Sequence, residues 1–211
     1  MLRKDEHRKA RSADAQAAHA YRNAAVGGNM GHGTQLHPAP LRRRFKAFLL
    51  DSLVIAAYLC VLLGVGVIVK FALLPTHAGR LSPLAMDLVA FLLTILPAIL
   101  YFAIQEGGQY HATKGKRRAG IEVAAADGGS PGLDRALVRS ALKFAPWQLA
   151  HTSLFHIPGW PFAPAAPGGW VMLGLFTAQG LVVIYVLLIL ITKSHRTLYD
   201  RASGTMVIVS S

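Results

Sequence analysis

The sequence predicts an all-α membrane protein with four transmembrane helices and a small two-stranded β cap on the cytoplasmic side. Three observations predict this fold class: 53% of the residues are hydrophobic, three apolar runs are long enough to cross a bilayer, and Lys and Arg are concentrated in the segments between them. Residues 1–40 have almost no large apolar side chains after Leu2. We therefore expect a disordered basic cytoplasmic tail (residues 1–40) before a single membrane domain (residues 41–211).

The three long apolar runs predict three membrane crossings. The first covers about residues 45 to 74, enough at about 1.5 Å per residue to cross a hydrocarbon core of roughly 30 Å. The second covers residues 82–105, with Ser82 as its N-cap, Pro83 at its first helical position and Pro97 at a kink. The last covers about residues 169 to 192.

A further helix is predicted from residues 135–160, whose uninterrupted apolar character is short and also typical of an interfacial or re-entrant segment. The distribution of Lys and Arg favours a crossing. Ten of these residues precede Ala47, seven surround the central loop and three follow the last helix, while only Lys70 and Arg80 remain, in or beside the first turn. The positive-inside rule then places the tail, the central loop and the C-terminus in the cytoplasm, which requires an even number of crossings.

The formal net charge of +12 is concentrated on one face of the predicted membrane domain. Anionic headgroups of the lipid bilayer are therefore the expected partner. Nucleic acid is not expected, because the basic tail has neither interleaved aromatic residues nor a recognisable nucleic-acid module. The oligomeric state cannot be read from the sequence. The single cysteine, Cys60, excludes an intramolecular disulfide.

Two short β-branched runs predict the cap. Residues 120–125 end at a turn signal, and residues 205–209 follow the last helix. We expect these two segments to pair as strands under the helices. Two strands alone are marginally stable in water, so the cap should depend on packing against the bundle.

Asp51 lies about two turns inside the first predicted helix, where an ionised carboxylate costs about 3 kcal/mol near the helix centre and needs a partner. Arg44 is on the same helical face but roughly 10 Å away along the axis. The C-terminal segment carries Arg196 and Asp200 one turn apart. We expect a crossed arrangement, in which Arg196 approaches Asp51 and Asp200 approaches Arg44. The alternative is a local pair of Arg196 with Asp200, which leaves Asp51 unpaired.

A polar stripe follows one side of the predicted third helix. Its members at helical spacing are Arg139, Lys143, Trp147, Gln148, His151 and Thr152. Such a stripe must face protein or a water-filled cavity. Two interpretations stay open: hydrogen bonding between helices, and a conduction or proton path. In a proton path, His151 is the expected carrier because imidazole titrates near neutral pH.

Four stretches of the sequence together resemble the RDD family of bacterial integral membrane proteins. They are RRFKAFLLDS in the first helix, ATKGKRRAGIEV followed by DGG in the central loop, LKFAPWQLAHT in the third helix and HRTLYDRASGTMVIV near the end. The resemblance covers roughly residues 41 to 209. It implies that Arg44, Asp51 and Asp200 are the arginine and two aspartates for which the family is named, with Arg43 as a competitor of Arg44.

The resemblance also implies a multi-pass protein of the bacterial cytoplasmic membrane with both termini in the cytoplasm. For function it implies a transporter or a cation- or proton-coupled carrier of an unidentified small ligand. The alternative is a non-transporting membrane scaffold or accessory protein, in which the Arg and Asp residues act as a structural staple.

Other chemistries are not expected. GGQYHATKGKR ends in Gly115 and Lys116 but has Tyr110 where a P-loop needs its first glycine and Arg117 where it needs Ser or Thr, which argues against nucleotide binding. The histidines show no metal-ligand spacing with Cys or carboxylates, so neither a metal nor a cofactor is predicted. No motif combines a nucleophile with an adjacent base, so an enzyme is not predicted.

Overall fold

The computed structural model describes residues 37–72, 81–161 and 164–210. Three of its helices are long and apolar enough to cross a membrane: α1 (Leu41–Ala72), α2 (Pro83–Gly107) and α5 (Gly169–Ile191). Their bounds agree within a few residues with the three predicted crossings. The predicted tail lies outside the described residues except for its last four positions, 37 to 40.

Helix α2 begins as the sequence predicts and is irregular near its middle. The Ser82 side chain accepts a hydrogen bond from the backbone N–H of Ala85, so the predicted N-cap is confirmed, with Pro83 in the first turn. A π-helical turn spans Phe91–Ile95 and leads into the regular helix Leu96–Gly107, which has Pro97 in its first turn. The irregularity therefore precedes the proline at which we expected a kink.

Four shorter elements and one further long helix complete the described chain. Helix α3 (Lys114–Ala119) is followed at once by strand β1 (Ile121–Ala125), and helix α4 covers Gly132–Phe155. After α5 come the short helix α6 (Leu198–Ala202) and strand β2 (Thr205–Val209).

The two strands form the predicted cap. They pair antiparallel, with Ile121 opposite Val209 and Ala125 opposite Thr205, which confirms the expected pairing. Pro38 extends the sheet by a single bridge to Ile208. Buried apolar residues pack the strands onto the start of α1, and they are Ala39, Ala47, Ala119, Ile121, Val123 and Val207. The cap thus packs against the helices, as two isolated strands require.

Helix α4 packs along α2 and also contacts α5, where the Tyr185 hydroxyl donates to the Leu142 carbonyl at 2.9 Å. Its 24 residues form a continuous helix through Pro146. Helix α4 is not one of the three helices apolar enough to span a membrane by composition. The predicted mainly helical membrane domain with a two-stranded sheet is confirmed, and the fourth crossing stays a prediction.

Candidate functional site

Asp51 is buried in α1, with a relative exposure of 3%. Its carboxylate accepts three hydrogen bonds from neutral donors. The Thr113 hydroxyl donates at 2.6 Å, the Gly115 backbone N–H at 2.9 Å and the Tyr101 hydroxyl at 3.1 Å. The charge is therefore accommodated by hydroxyl and amide dipoles that α2 and the start of α3 supply.

The start of α3 is shaped to fit this carboxylate. Thr113 is the N-cap of α3: its hydroxyl oxygen accepts from the Lys116 backbone N–H at 3.2 Å while the hydroxyl proton is donated to Asp51. Gly115 contacts α1 so closely that a Cβ there would lie 2.6 Å from the Ala47 carbonyl oxygen and 2.7 Å from Asp51 Cγ. Only glycine lets the α3 backbone approach near enough to donate to Asp51.

A second buried group, here called the buried charge cluster, consists of Glu106, Lys116, Arg139 and Asp200. Glu106, at the end of α2, is fully buried, with Lys116 Nζ 2.6 Å from Oε1 and Arg139 Nη1 hydrogen-bonded to Oε2. Arg139 also donates to Asp200 Oδ1 through Nε at 2.9 Å, and its Nη2 forms an ion pair with the same oxygen at 2.9 Å. Two cations thus alternate with two anions, and the cluster is electrically balanced.

Asp200 is held by its own helix as well as by Arg139. It accepts from the Thr197 hydroxyl at 2.9 Å and from the Thr197 backbone N–H at 3.0 Å. The second of these bonds and the reciprocal bond from the Asp200 backbone N–H to the Thr197 hydroxyl oxygen, at 3.3 Å, form the capping box of α6. The Tyr199 ring lies 5.2 Å from the Arg139 guanidinium carbon. Burial raises the pKa of the Tyr199 phenol to about 12, and the neighbouring Asp200 carboxylate adds to the rise.

Lys116 belongs to the cluster, but its surroundings disfavour the charged form of its ammonium group. Burial and, secondarily, repulsion by Arg139 lower the pKa of its ammonium group to about 8. The contact with Glu106 opposes both effects but does not restore the ordinary value of 10.5. Lys116 is consequently the member of the cluster whose charge changes most easily near physiological pH.

Arg44 binds backbone carbonyls from both ends of the described chain. Its guanidinium donates to the carbonyls of Ala39 at 3.0 Å, His195 at 2.8 Å and Val207 at 3.0 Å. Its neighbour Arg43 is exposed and donates to the Gly120 carbonyl at 3.1 Å. Of the two arginines, Arg44 is the one that joins the start of α1 to the segment after α5.

The predicted crossed arrangement of Arg and Asp is wrong. Asp51 is bound by neutral donors and Asp200 by Arg139, as described above. Arg196 instead donates to the carbonyls of Thr205 at 3.0 Å and Asp200 at 3.4 Å. The local alternative is also incorrect, because this last contact is with the backbone of Asp200 and not its carboxylate. The physical reason is that α3 packs against Asp51 and supplies donors of its own.

Two members of the buried charge cluster, Glu106 and Lys116, were not predicted as site residues, nor were Thr113 and Tyr101 beside Asp51. The sequence did contain a signal for Glu106: it is a carboxylate at the end of the second apolar run, and the argument that gave Asp51 a required partner applies to it equally. Lys116 carried no such signal, because it is one of four basic residues within five positions. Thr113 and Tyr101 are common residue types that no spacing singles out.

Only some side chains of the α4 polar stripe contact α2. Arg139 reaches Glu106, and Lys143 Nζ lies 3.2 Å from the centroid of the Phe102 ring. His151 differs: its Nδ1 lies 3.0 Å from the Trp147 carbonyl oxygen of its own helix, and its ring stacks on Phe155. Trp147 itself is largely exposed.

The far part of the stripe meets a carboxylate in the first turns of α2, here called the Asp87 site. Gln148 Nε2 donates to Asp87 Oδ1 at 2.9 Å, and the Thr152 hydroxyl donates to Asp87 Oδ2 at 2.9 Å. Gln148 Oε1 is buried and has no hydrogen-bond partner among the described residues. The Asp87 carboxylate therefore lies between two neutral polar side chains, and Gln148 Oε1 is an acceptor that no described residue donates to.

Within the ranges that the structure describes, no group of three or more His, Cys, Asp or Glu side chains is placed to hold a metal ion. The hydrogen bonds of Asp51 and the ion pairs of Glu106 can hold the helices together and neutralise buried charge. At the Asp87 site the carboxylate is bound by neutral side chains.

A helical membrane protein whose helix ends are joined by a buried charge cluster is the class that this fold and site define. Within that class the chain belongs to the RDD family, whose family model matches residues 38–204. The match includes Arg44, Asp51 and Asp200, and it confirms the resemblance predicted from the sequence. No curated protein and no solved structure matches the chain.

Proposed function

We propose that the protein is a proton- or cation-coupled membrane carrier in which Asp87 is the coupling carboxylate. The observation that carries this proposal is the Asp87 site. Asp87 lies in α2, a helix long and apolar enough to cross a membrane, and its recorded partners Gln148 and Thr152 are neutral. An ionisable side chain in such a helix costs free energy, and residues of this kind therefore mark functional sites. A carboxylate that is not paired with a cationic side chain can bind a proton or a small cation from solution.

The groups around Asp87 suit a small cation as well as a proton. A carboxylate, a hydroxyl and an amide oxygen are oxygen ligands of the kind that hard cations prefer. Rotation of the Gln148 side-chain amide turns Oε1 toward Asp87 and supplies the amide oxygen of this ligand set. The π-helical turn begins at Phe91, one turn after Asp87, and such turns occur frequently at functional sites.

The carrier is proposed to cross the cytoplasmic membrane four times, with the cap and both termini in the cytoplasm. The contacts of Arg44 support this topology, because they bring the start of α1 to His195 and Val207, which follow α5. Two ends on one face require an even number of crossings. With α1, α2 and α5 counted as three, α4 is the fourth, and its Arg139 is buried against Glu106 and Asp200.

Flux through proteoliposomes tests the carrier proposal. The full-length protein is reconstituted with a pH-sensitive dye inside, and a panel of monovalent cations is added outside. We expect proton-coupled flux that is abolished by Asp87→Asn. The matched control is Asp127→Asn, which makes the same chemical change at an exposed carboxylate in the β1–α4 turn and should leave the flux intact. Size-exclusion profiles of both variants verify folding.

A second candidate function is that of a non-transporting membrane scaffold. It is favoured by the buried charge cluster, in which the ion pairs of Glu106, Lys116, Arg139 and Asp200 join the four helices α2, α3, α4 and α6. In both candidates the family residues Arg44, Asp51 and Asp200 act as a structural staple. Absence of flux for the folded wild-type protein with every cation tested would reject the carrier and favour the scaffold.

A further inference from the structure

Helix α3 has two chemically different sides. Gly115, Lys116 and Ala119 are buried against the rest of the protein. Three exposed cations, Lys114, Arg117 and Arg118, line an open cleft of about 540 Å³, here called the basic cleft. The buried side is fixed through Gly115 to Asp51, so the three cations are presented from a rigid base.

The charge of the basic cleft is not neutralised by the described part of the protein. The ion pairs among the described residues are made by Lys116, Arg135 and Arg139, and none involves Lys114, Arg117 or Arg118. The Arg117 guanidinium carbon lies 4.7 Å from the centre of the Tyr110 ring. This cation–π contact orients the side chain without cancelling its charge.

The cleft lies beside the first turns of α1. Gly115 contacts Ala47, and Gly120, directly after α3, accepts a hydrogen bond from Arg43. In the same turns of α1, Phe45 and Phe48 are 62% and 61% exposed, with their ring centres 6.5 Å apart. Exposed Arg42 and Arg43 precede these exposed apolar rings, so the apolar surface of α1 begins at this level, where headgroups meet hydrocarbon. The three cations are therefore near headgroup depth.

We propose that the basic cleft binds the headgroup of an anionic phospholipid. Guanidinium groups form paired hydrogen bonds with phosphate oxygens, and the lysine adds a point charge. Three cations exceed the charge of one phosphate, so a lipid with net negative charge is bound in preference to a zwitterionic one. The acyl chains remain in the hydrocarbon layer around the exposed apolar surface of α1. This inference is independent of the proposed carrier activity.

Native mass spectrometry of the full-length protein in detergent tests the proposal. Phosphatidylglycerol and phosphatidylcholine are titrated separately, and the lipid-bound fraction is measured. The variant Lys114→Gln/Arg117→Gln/Arg118→Gln should lose affinity for phosphatidylglycerol on the order of 10- to 100-fold and keep its weak affinity for phosphatidylcholine. A matched control removes three cations elsewhere, Arg135→Gln/Lys193→Gln/Arg201→Gln, and should change the affinity by less than about twofold.

Three outcomes would overturn the proposal. An equal loss of phosphatidylglycerol affinity in both triple variants would mean that binding depends on the total charge of the protein and not on the basic cleft. Displacement of phosphatidylglycerol by inorganic phosphate would identify a site for a soluble anion, and displacement by a single-stranded oligonucleotide would identify a nucleic-acid surface. The substituted side chains are exposed, and unchanged thermal unfolding verifies that the fold is kept. If the triple variant unfolds, Lys114→Gln and Arg118→Gln are measured singly, and a full retention of affinity in both rejects the site.

Discussion

The backbone N–H of Gly115 donates to the carboxylate of Asp51 at 2.9 Å, at a point where α3 and α1 are too close for any side chain between them. An acidic group inside an apolar helix is thus held by this backbone amide and by the hydroxyls of Thr113 and Tyr101, and not by a countercharge. This explains why the first apolar run tolerates Asp51. It also makes the glycine, which carries no chemistry of its own, one of the most constrained positions in the protein.

Gly115→Ala should destabilise the protein strongly. The added Cβ would lie within 2.7 Å of both the Ala47 carbonyl oxygen and Asp51 Cγ, so α3 must move away and Asp51 loses a donor. We expect a loss on the order of 3 kcal/mol or more, measured by thermal unfolding in detergent. The control is Gly66→Ala in α1, where a Cβ meets nothing within 4 Å and stability should be unchanged or slightly higher. Equal losses in both variants would contradict the close-approach argument.

Glu106 and Lys116 should behave as energetically coupled residues. Glu106→Gln leaves Lys116 and Arg139 without their shared anion, so we expect a loss of about 3 to 5 kcal/mol. Lys116→Met alone leaves Glu106 with Arg139 and should cost less. The loss in the double variant should be smaller than the sum of the two single losses. The reason is that the double substitution removes Lys116 together with its partner Glu106 and so leaves no unpaired ammonium group in the interior. Additive losses would show that the two side chains do not interact.

The Lys116 contribution should make stability rise with pH in the alkaline range. Its pKa is about 8 in the folded protein and 10.5 when the group is unperturbed, so between these values the unfolded chain binds more protons than the folded one. The free energy of unfolding therefore increases as pH rises through this window, and the contribution is lost as pH falls through 8. We expect the difference between wild type and Lys116→Met to follow this course. A difference that does not change with pH would refute the lowered pKa.

The four-crossing topology predicts opposite accessibility for two single cysteines. After replacement of Cys60 by Ser, a cysteine at Ala165, in the segment between α4 and α5, should react with an impermeant thiol reagent in intact cells. A cysteine at Ser210, directly after β2, should react only after the membrane is permeabilised. Labelling of Ser210 from outside would contradict the topology, and Ala165→Cys serves as the positive control for reagent access.

The helices and the cap were predictable because their signals are local. Apolar run length located α1, α2 and α5, and two short β-branched runs gave the strand pairing. The presence of Asp51 in the first helix also predicted that a partner was needed. Its identity was not predictable, because Gly115 belongs to a six-residue helix of basic and small residues whose sequence is typical of a charged loop, and Thr113 is the N-cap of that helix.

The partners within the buried charge cluster could not be assigned for a related reason. Glu106, Arg139 and Asp200 come from three elements far apart in the sequence, and only packing decides which opposite charges meet. The family motif indicates Arg44, Asp51 and Asp200 as a set, whereas the spacing of Arg139 assigns it to the α4 stripe. The Asp87 site was overlooked similarly: Gln148 and Thr152 were identified, but not the carboxylate opposite them.

The contacts of Arg44 also constrain how the protein is made. Two of its three carbonyl acceptors belong to His195 and Val207, which leave the ribosome about 150 residues after Arg44 itself. During synthesis the start of α1 must wait, bound to Ala39 alone, until the last strand is translated and folds back. A nascent chain that stops before residue 195 would leave the Arg44 guanidinium with one of its three carbonyl acceptors, although all the membrane helices had already been synthesised.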